Sequence, residues 1–125
     1  MDKQHHCRCA IPHRRIQVVD GEVNRGITVK DPELMQLGKS IAEKLPESYG
    51  PLNVQVFYDA NDHSIYVTDI NPRFGGGYPL VHAAGGTFTD WLIQEALGKP
   101  LDIPKDNWIP NLLMRRYREN IFTVL

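Results

Sequence analysis

The sequence has no excess of either charge: 14 basic residues against 15 acidic ones leave a net charge of −1. Such a balance gives no overall attraction to nucleic acid or to an anionic membrane surface. It has no apolar run near the roughly 20 residues that a membrane-spanning helix needs, no internal repeat and no low-complexity tract. Cysteine is scarce. Cys7 and Cys9 stand too close together to frame a disulfide scaffold, which favours a reducing compartment. The opening Met1-Asp2-Lys3-Gln4-His5-His6 is polar, unlike the apolar core of a secretory signal. From these absences we expect a cytoplasmic protein. What is present, 42% apolar and 23% charged residues over 125 positions, suits an ordinary globular chain of one domain, with residues 1–10 as a fraying N-terminus.

Local patterns predict the elements. Arg15-Ile16-Gln17-Val18-Val19 and Gly26-Ile27-Thr28-Val29 are β-rich and flank the turn signal Asp20-Gly21, which reads as an antiparallel hairpin. Asp31 then caps a helix with Pro32 at its first position; Leu34, Leu37, Ile41 and Leu45 recur on one face, and Pro46 and Gly50-Pro51 end it. Two strands follow, Leu52–Tyr58 and Ser64–Ile70, around a polar loop. Residues 71–86 are glycine-rich loop or a short helix. Thr87–Leu97 is a helix capped by Thr87 and stopped by Gly98, with Phe88, Trp91, Leu92 and Ala96 on its apolar side. Prolines 100, 104 and 110 mark a connector, and a last strand is expected near Ile121–Val124. The fold class is α+β: an antiparallel sheet with helices packed on one face.

Chemistry concentrates between Asn53 and Gly86. Residues two apart share a strand face. A symmetric loop centred on Asn61 would pair residue 55 with 67 and 53 with 69. Gln55 then lies one diagonal step from Asp69, on the face that also carries Asn71. Asp69 and Asn71 are oxygen donors of the kind a hard divalent cation prefers. Arg73 offers a fork of donors for phosphate or carboxylate. Gly75-Gly76-Gly77 lets backbone N–H groups approach an anion without side-chain interference. That order of acid, amide, cation and open loop suits a magnesium-bound nucleotide and a phosphoryl group in transfer. The plainer reading is a turn, since Asp and Asn both bond their own backbone, followed by a loose glycine loop.

The string Asp69-Ile70-Asn71-Pro72-Arg73-Phe74-Gly75-Gly76-Gly77-Tyr78-Pro79-Leu80, with Asn53-Val54-Gln55 before it, resembles the C-terminal part of ATP-grasp domains. It is especially similar to carbamoyl-phosphate synthase large-chain-like members. The likeness runs more weakly upstream, through Ile11–Arg15 and Arg25–Val29, and downstream to about Gly98. It implies that Gln55, Asp69 and Asn71 are magnesium ligands and that Arg73 is a phosphate-contacting catalytic residue. Gly75, Gly76 and Gly77 would border the nucleotide and the acceptor carboxylate, and Arg25 is a further candidate for phosphate contact, a solvated surface being the other reading. The implied cofactors are ATP and Mg2+, with Mn2+ as a substitute. The implied reaction makes an acyl phosphate from a small carboxylate, and an amine or similar nucleophile then displaces the phosphate; positioning and charge neutralisation dominate such catalysis.

Two departures qualify the likeness. The family usually has glutamate where Asp69 stands, and aspartate, one methylene shorter, reaches one metal ion without bridging two. Second, a complete ATP-grasp enzyme has a lobe over the adenine that this chain does not show. We therefore expect a C-terminal lobe spanning residues 1–125, inactive alone, that uses a partner chain or self-association. A non-catalytic module that keeps the fold is the competing reading. A third is a zinc site at His5, His6, Cys7, Cys9 and His13, or a nucleic-acid patch at Arg115-Arg116-Tyr117-Arg118. The first lacks the spacing of a closed zinc site, and the second reads better as plain surface strand. His82 reads as structural, and Trp91 and Trp108 as core anchors.

Overall fold

Two β-rich segments meet at Asp20 and Gly21, whose φ values of 52° and 80° make the twisted turn that suits a two-residue hairpin. They form β1 (His13–Val19) and β2 (Glu22–Thr28), paired antiparallel. The computed structural model describes residues 1–59, 61–103, 106–117, 119–120 and 122–124. The β1–β2 register shifts on either side of Gln17, so that Val18 faces Val23 while Gln17 faces Arg25. Ile16 is the extra residue in β1 and Asn24 the one in β2; the second keeps Val23, Gly26 and Thr28 all on the buried side.

Helix α1 (Pro32–Lys44) starts as its sequence dictates: Asp31 Oδ1 accepts from the amides of Glu33 (2.9 Å) and Leu34 (3.1 Å). Strands β3 (Asn53–Asp59) and β4 (Ser64–Asn71) form a separate antiparallel ribbon. Two helices follow, α2 (Tyr78–Ala83) and α3 (Phe88–Ala96). The chain returns as β5 (Leu113–Arg115), which pairs antiparallel with β2.

The architecture is α+β with antiparallel sheets, as expected, but the described residues form two sheets rather than one. The order in the larger is β1-β2-β5. Helix α2 packs on β2, and Leu80, Val81, Ala84, Val23 and Trp108 are buried. Trp108 is thus a core anchor; Trp91 is only half-buried.

Three local expectations differ. Phe122–Val124 is not a strand and Ile121 lies outside the described residues; the last strand is β5, upstream. Thr87 makes no side-chain cap. The Tyr78 hydroxyl instead accepts from the Thr89 amide (3.1 Å) in the first turn of α3. The first residues, expected to fray, are tied down: the Met1 amino group donates to the Gly50 carbonyl (2.9 Å), and the Lys3 and Cys7 amides donate to Glu95 and Glu43. Buried Asp2 accepts from the Gln4 and His6 amides.

Thr28 decides where β5 lies. It is fully buried. Its hydroxyl donates to the Ile109 carbonyl (2.8 Å) and accepts from the Leu112 amide (2.9 Å). Its own carbonyl accepts from the Asn111 amide (2.9 Å). Thr28→Val keeps the shape but strands two backbone groups, each worth about 1–3 kcal/mol when left unpaired. Urea unfolding should show Thr28→Val destabilised by about 2–4 kcal/mol and Thr28→Ser by clearly less.

Candidate functional site

The site begins with one extra residue in β4. Near the turn, Asp59 faces Ser64 and Val56 faces Val67; continued unbroken, that register would set Asp69 opposite Val54 and send it to the far face. The register shifts at Thr68 instead, so that Gln55 faces Asp69 and Asn53 faces Asn71. A bulge re-aims side chains in this way. The expected pairing, 55 with 67, is corrected: Gln55 is directly opposite Asp69 and not diagonal to it. The Thr68 hydroxyl donates to the Gln55 carbonyl (3.2 Å) across the bulge.

At this end of the ribbon the polar side chains join. Asn71 Nδ2 donates to Asp69 Oδ2 (2.6 Å), and Arg15 Nη1, from β1, donates to Gln55 Oε1 (3.2 Å). Gln55 is half-buried and Asp69 exposed. Arg73 does not join the group by hydrogen bonding: its amide donates to the Asn71 carbonyl (2.8 Å) and its guanidinium to the Phe74 carbonyl (3.0 Å). Arg25 sits in β2 opposite Gln17 and Arg115, with its Nε buried and unpartnered.

The three glycines have different neighbours. A side chain at Gly75 would begin 2.6 Å from Asn53 Oδ1, and one at Gly77 would strike the His13 ring; at Gly76 there is open space. None of the three has the left-handed φ that only glycine tolerates well. Close approach, and not chain reversal, is why residues 75 and 77 are glycine. Among the described residues their amides donate no hydrogen bond, whereas the Gly75 and Gly77 carbonyls accept from Tyr78 and Leu80. The Gly76 carbonyl accepts from Arg116 Nη2, and Arg116 Nη1 donates to Glu22 Oε2 (2.6 Å).

Residues 1–117 match the protein family described as ATP-grasp in the biosynthetic pathway with Ter operon. The chain belongs to this ATP-grasp family. No curated protein matches it.

In this ATP-grasp chain the ribbon end and the glycine loop thus meet β1 and the segment after β5. Arg15, His13, Asn53 and Arg116 also gather here. The sequence offered His13, Arg15 and Asn53 only within the stretches that carry the family likeness, and Arg116 only within the Arg115–Arg118 surface patch; its place at the glycine loop comes from tertiary pairing.

Around the N-terminal cysteines the chemistry is unfavourable for a metal. Cys7 Sγ donates to the Cys9 carbonyl (3.6 Å), and burial, helped by the neighbouring Cys7, pushes the Cys9 thiol up to about 12. A metal needs the thiolate. Among the described residues, no three His, Cys, Asp or Glu side chains gather as a metal cluster. No helix among them is long and apolar enough to cross a membrane.

Burial of the His13 ring holds its pKa below the ordinary 6.5; the Ile11 backbone opposes this and the Arg15 charge adds to it. The unfolded chain therefore takes up this proton first as pH falls. Stability from neutral His13 is fully present above about 6.5 and is lost as pH drops toward the folded value. Denaturant midpoints of the wild type should fall between pH 7 and pH 5.5 more steeply than those of His13→Gln; parallel slopes would contradict a buried neutral ring. The glycines supply a second test. Gly77→Ala should cost about 1–3 kcal/mol by overpacking on His13, while Gly76→Ala should change stability by no more than about 1 kcal/mol, in the stabilising direction. Equal losses at both positions would disprove the packing account.

Proposed function

We propose that this chain is the magnesium- and phosphate-handling lobe of an ATP-dependent carboxylate ligase, carbamoyl-phosphate synthase-like in its chemistry. The observation that carries the proposal is the bulge-set juxtaposition of Gln55 with Asp69, beside a glycine loop whose amides donate no hydrogen bond among the described residues. The donor set fits a hard cation: it is all oxygen, with one carboxylate and two amide carbonyls. The Asn71–Asp69 hydrogen bond uses the amide nitrogen of one and one oxygen of the other, leaving Asn71 Oδ1 and the second Asp69 oxygen as acceptors for Mg2+ or Mn2+. When bound, that cation supplies charge neutralisation for the nucleotide phosphates.

In this reading a small carboxylate attacks the γ-phosphorus of ATP and ADP leaves; an amine or similar nucleophile then attacks the carbonyl carbon of the acyl phosphate formed, and inorganic phosphate leaves. Asp69, Asn71 and Gln55 orient the nucleotide through its cation. Arg73 leaves Phe74 to contact the moving phosphoryl group. Phe57 and Tyr66 are cross-strand neighbours on the same face, 68% and 64% exposed. Their exposure supports a cover supplied by another segment or a partner chain. A nucleotide-consuming ligase of this kind belongs in the cytoplasm.

One observation favours the non-catalytic reading: Arg15 already occupies the Gln55 oxygen. Titration of the chain with Mg-ATP, with and without chelator, separates the two. Under the ligase reading binding requires the cation, and Asp69→Asn or Asn71→Ala weakens it by roughly ten- to a hundredfold, as expected for a charge-assisted contact. Binding that is indifferent to magnesium and to both substitutions would sink the proposal.

A further inference from the structure

Arg116 joins three parts of the chain. Its amide donates to the Asn24 carbonyl (2.8 Å), and its two guanidinium nitrogens reach Glu22 and the Gly76 carbonyl. Its side chain is only 28% exposed. On the loop side, Gly76 is the one glycine of the three that packing does not fix: Gly75 lies on Asn53 and Gly77 on His13, but nothing stands within 4 Å of a Gly76 side-chain position. Glycine has the widest backbone freedom of any residue, so this peptide would turn easily if left alone.

The orientation has a chemical consequence. In a trans peptide the C=O and the following N–H point in opposite directions. Drawing the Gly76 carbonyl to Arg116 therefore turns the Gly77 N–H away from it. A loop in which this peptide flipped would offer a carbonyl oxygen, and hence repulsion, where an anionic ligand needs donors. A guanidinium suits the task because it can hold a carboxylate with one arm and a carbonyl with another in a fixed plane, which an ammonium cannot do.

We infer that Arg116, pre-oriented by Glu22, is a positioning residue of the ATP-grasp site: it sets the Gly76–Gly77 peptide and so keeps the loop's carbonyl clear of the phosphoryl-bearing ligand. The inference rests on the ligase reading above. Thr28 contributes indirectly, because the segment it anchors leads into β5 and delivers Arg116 to the loop.

The test uses the full chain labelled with 15N, following the Gly76 and Gly77 amide resonances, hydrogen exchange at the end of the loop and the affinity for Mg-ATP. Arg116→Ala should shift both resonances, speed exchange of the Tyr78 amide, which donates to the Gly75 carbonyl, roughly tenfold relative to the Ala84 amide, and weaken Mg-ATP roughly tenfold or more, since small misplacements of a site group have effects of that size. Arg116→Lys should restore part of each, and Glu22→Ala should move all three readouts in the same direction by less. A merely structural role would lower the unfolding midpoint while leaving the Gly76 and Gly77 resonances in place, and that result overturns the inference. If Arg116→Ala does not fold, Arg116→Lys and Glu22→Ala decide by the same readouts. Should the wild type bind no Mg-ATP, the ligase reading fails, while the amide resonances still decide whether Arg116 sets the peptide.

Discussion

One unpaired residue, Thr68, determines what the β3–β4 ribbon presents at its end. Strand side chains alternate, so a single-residue register change exchanges the two faces. Without the bulge, Asp69 and Asn71 would stand across from Val54 and its neighbours. With it, they stand across from Gln55 and Asn53, and a polar face is assembled from two strands. Asn53 and Gln55, two apart on β3, share that face by strand alternation, and there Arg15 reaches Gln55 and Gly75 closes on Asn53.

A second constraint fixes what reaches the glycine loop. The Thr28 hydroxyl satisfies one backbone donor and one acceptor of the segment at residues 109–112, and the cost of leaving such groups unpaired holds that segment in place. Strand β5 then has one place to pair, and Arg116 follows it onto the glycine loop. The loop is thus gripped at three successive residues by three different means: Asn53 beside Gly75, a guanidinium on Gly76 and the half-buried His13 ring beside Gly77. Under the proposed ligase reading, the phosphates must be placed within a fraction of an ångström, which needs this kind of support from outside the loop's own segment.

Charge completes the account. The net charge is close to zero, yet Arg15, Arg73 and Arg116 all bond to residues of the ribbon or the loop. In the proposed function it is this local accumulation of donors, and not overall charge, that would suit the region to anions. The Arg15–Gln55 bond also means that a cation at the ribbon end must compete with a guanidinium for one oxygen.

The amino-acid sequence by itself determined the local elements: the Asp20-Gly21 turn, the Asp31-Pro32 helix start, the two strands of the ribbon and the membership implied by the Asp69–Leu80 string. These follow from near-neighbour sterics and hydrogen bonding, which a short window of residues contains. It missed the Tyr78 hydroxyl at the start of α3, the anchored N-terminus and the true last strand, because each partner lies far along the chain. The same limit applied to the site. Gln55, Asp69 and Asn71 were legible as a spaced set, but the bulge that aligns them, the arginines at positions 15 and 116, and the reasons for glycine at 75 and 77 were decided only by tertiary structure. Side-chain direction depends on register, and register is settled by pairing between strands that sequence spacing does not specify.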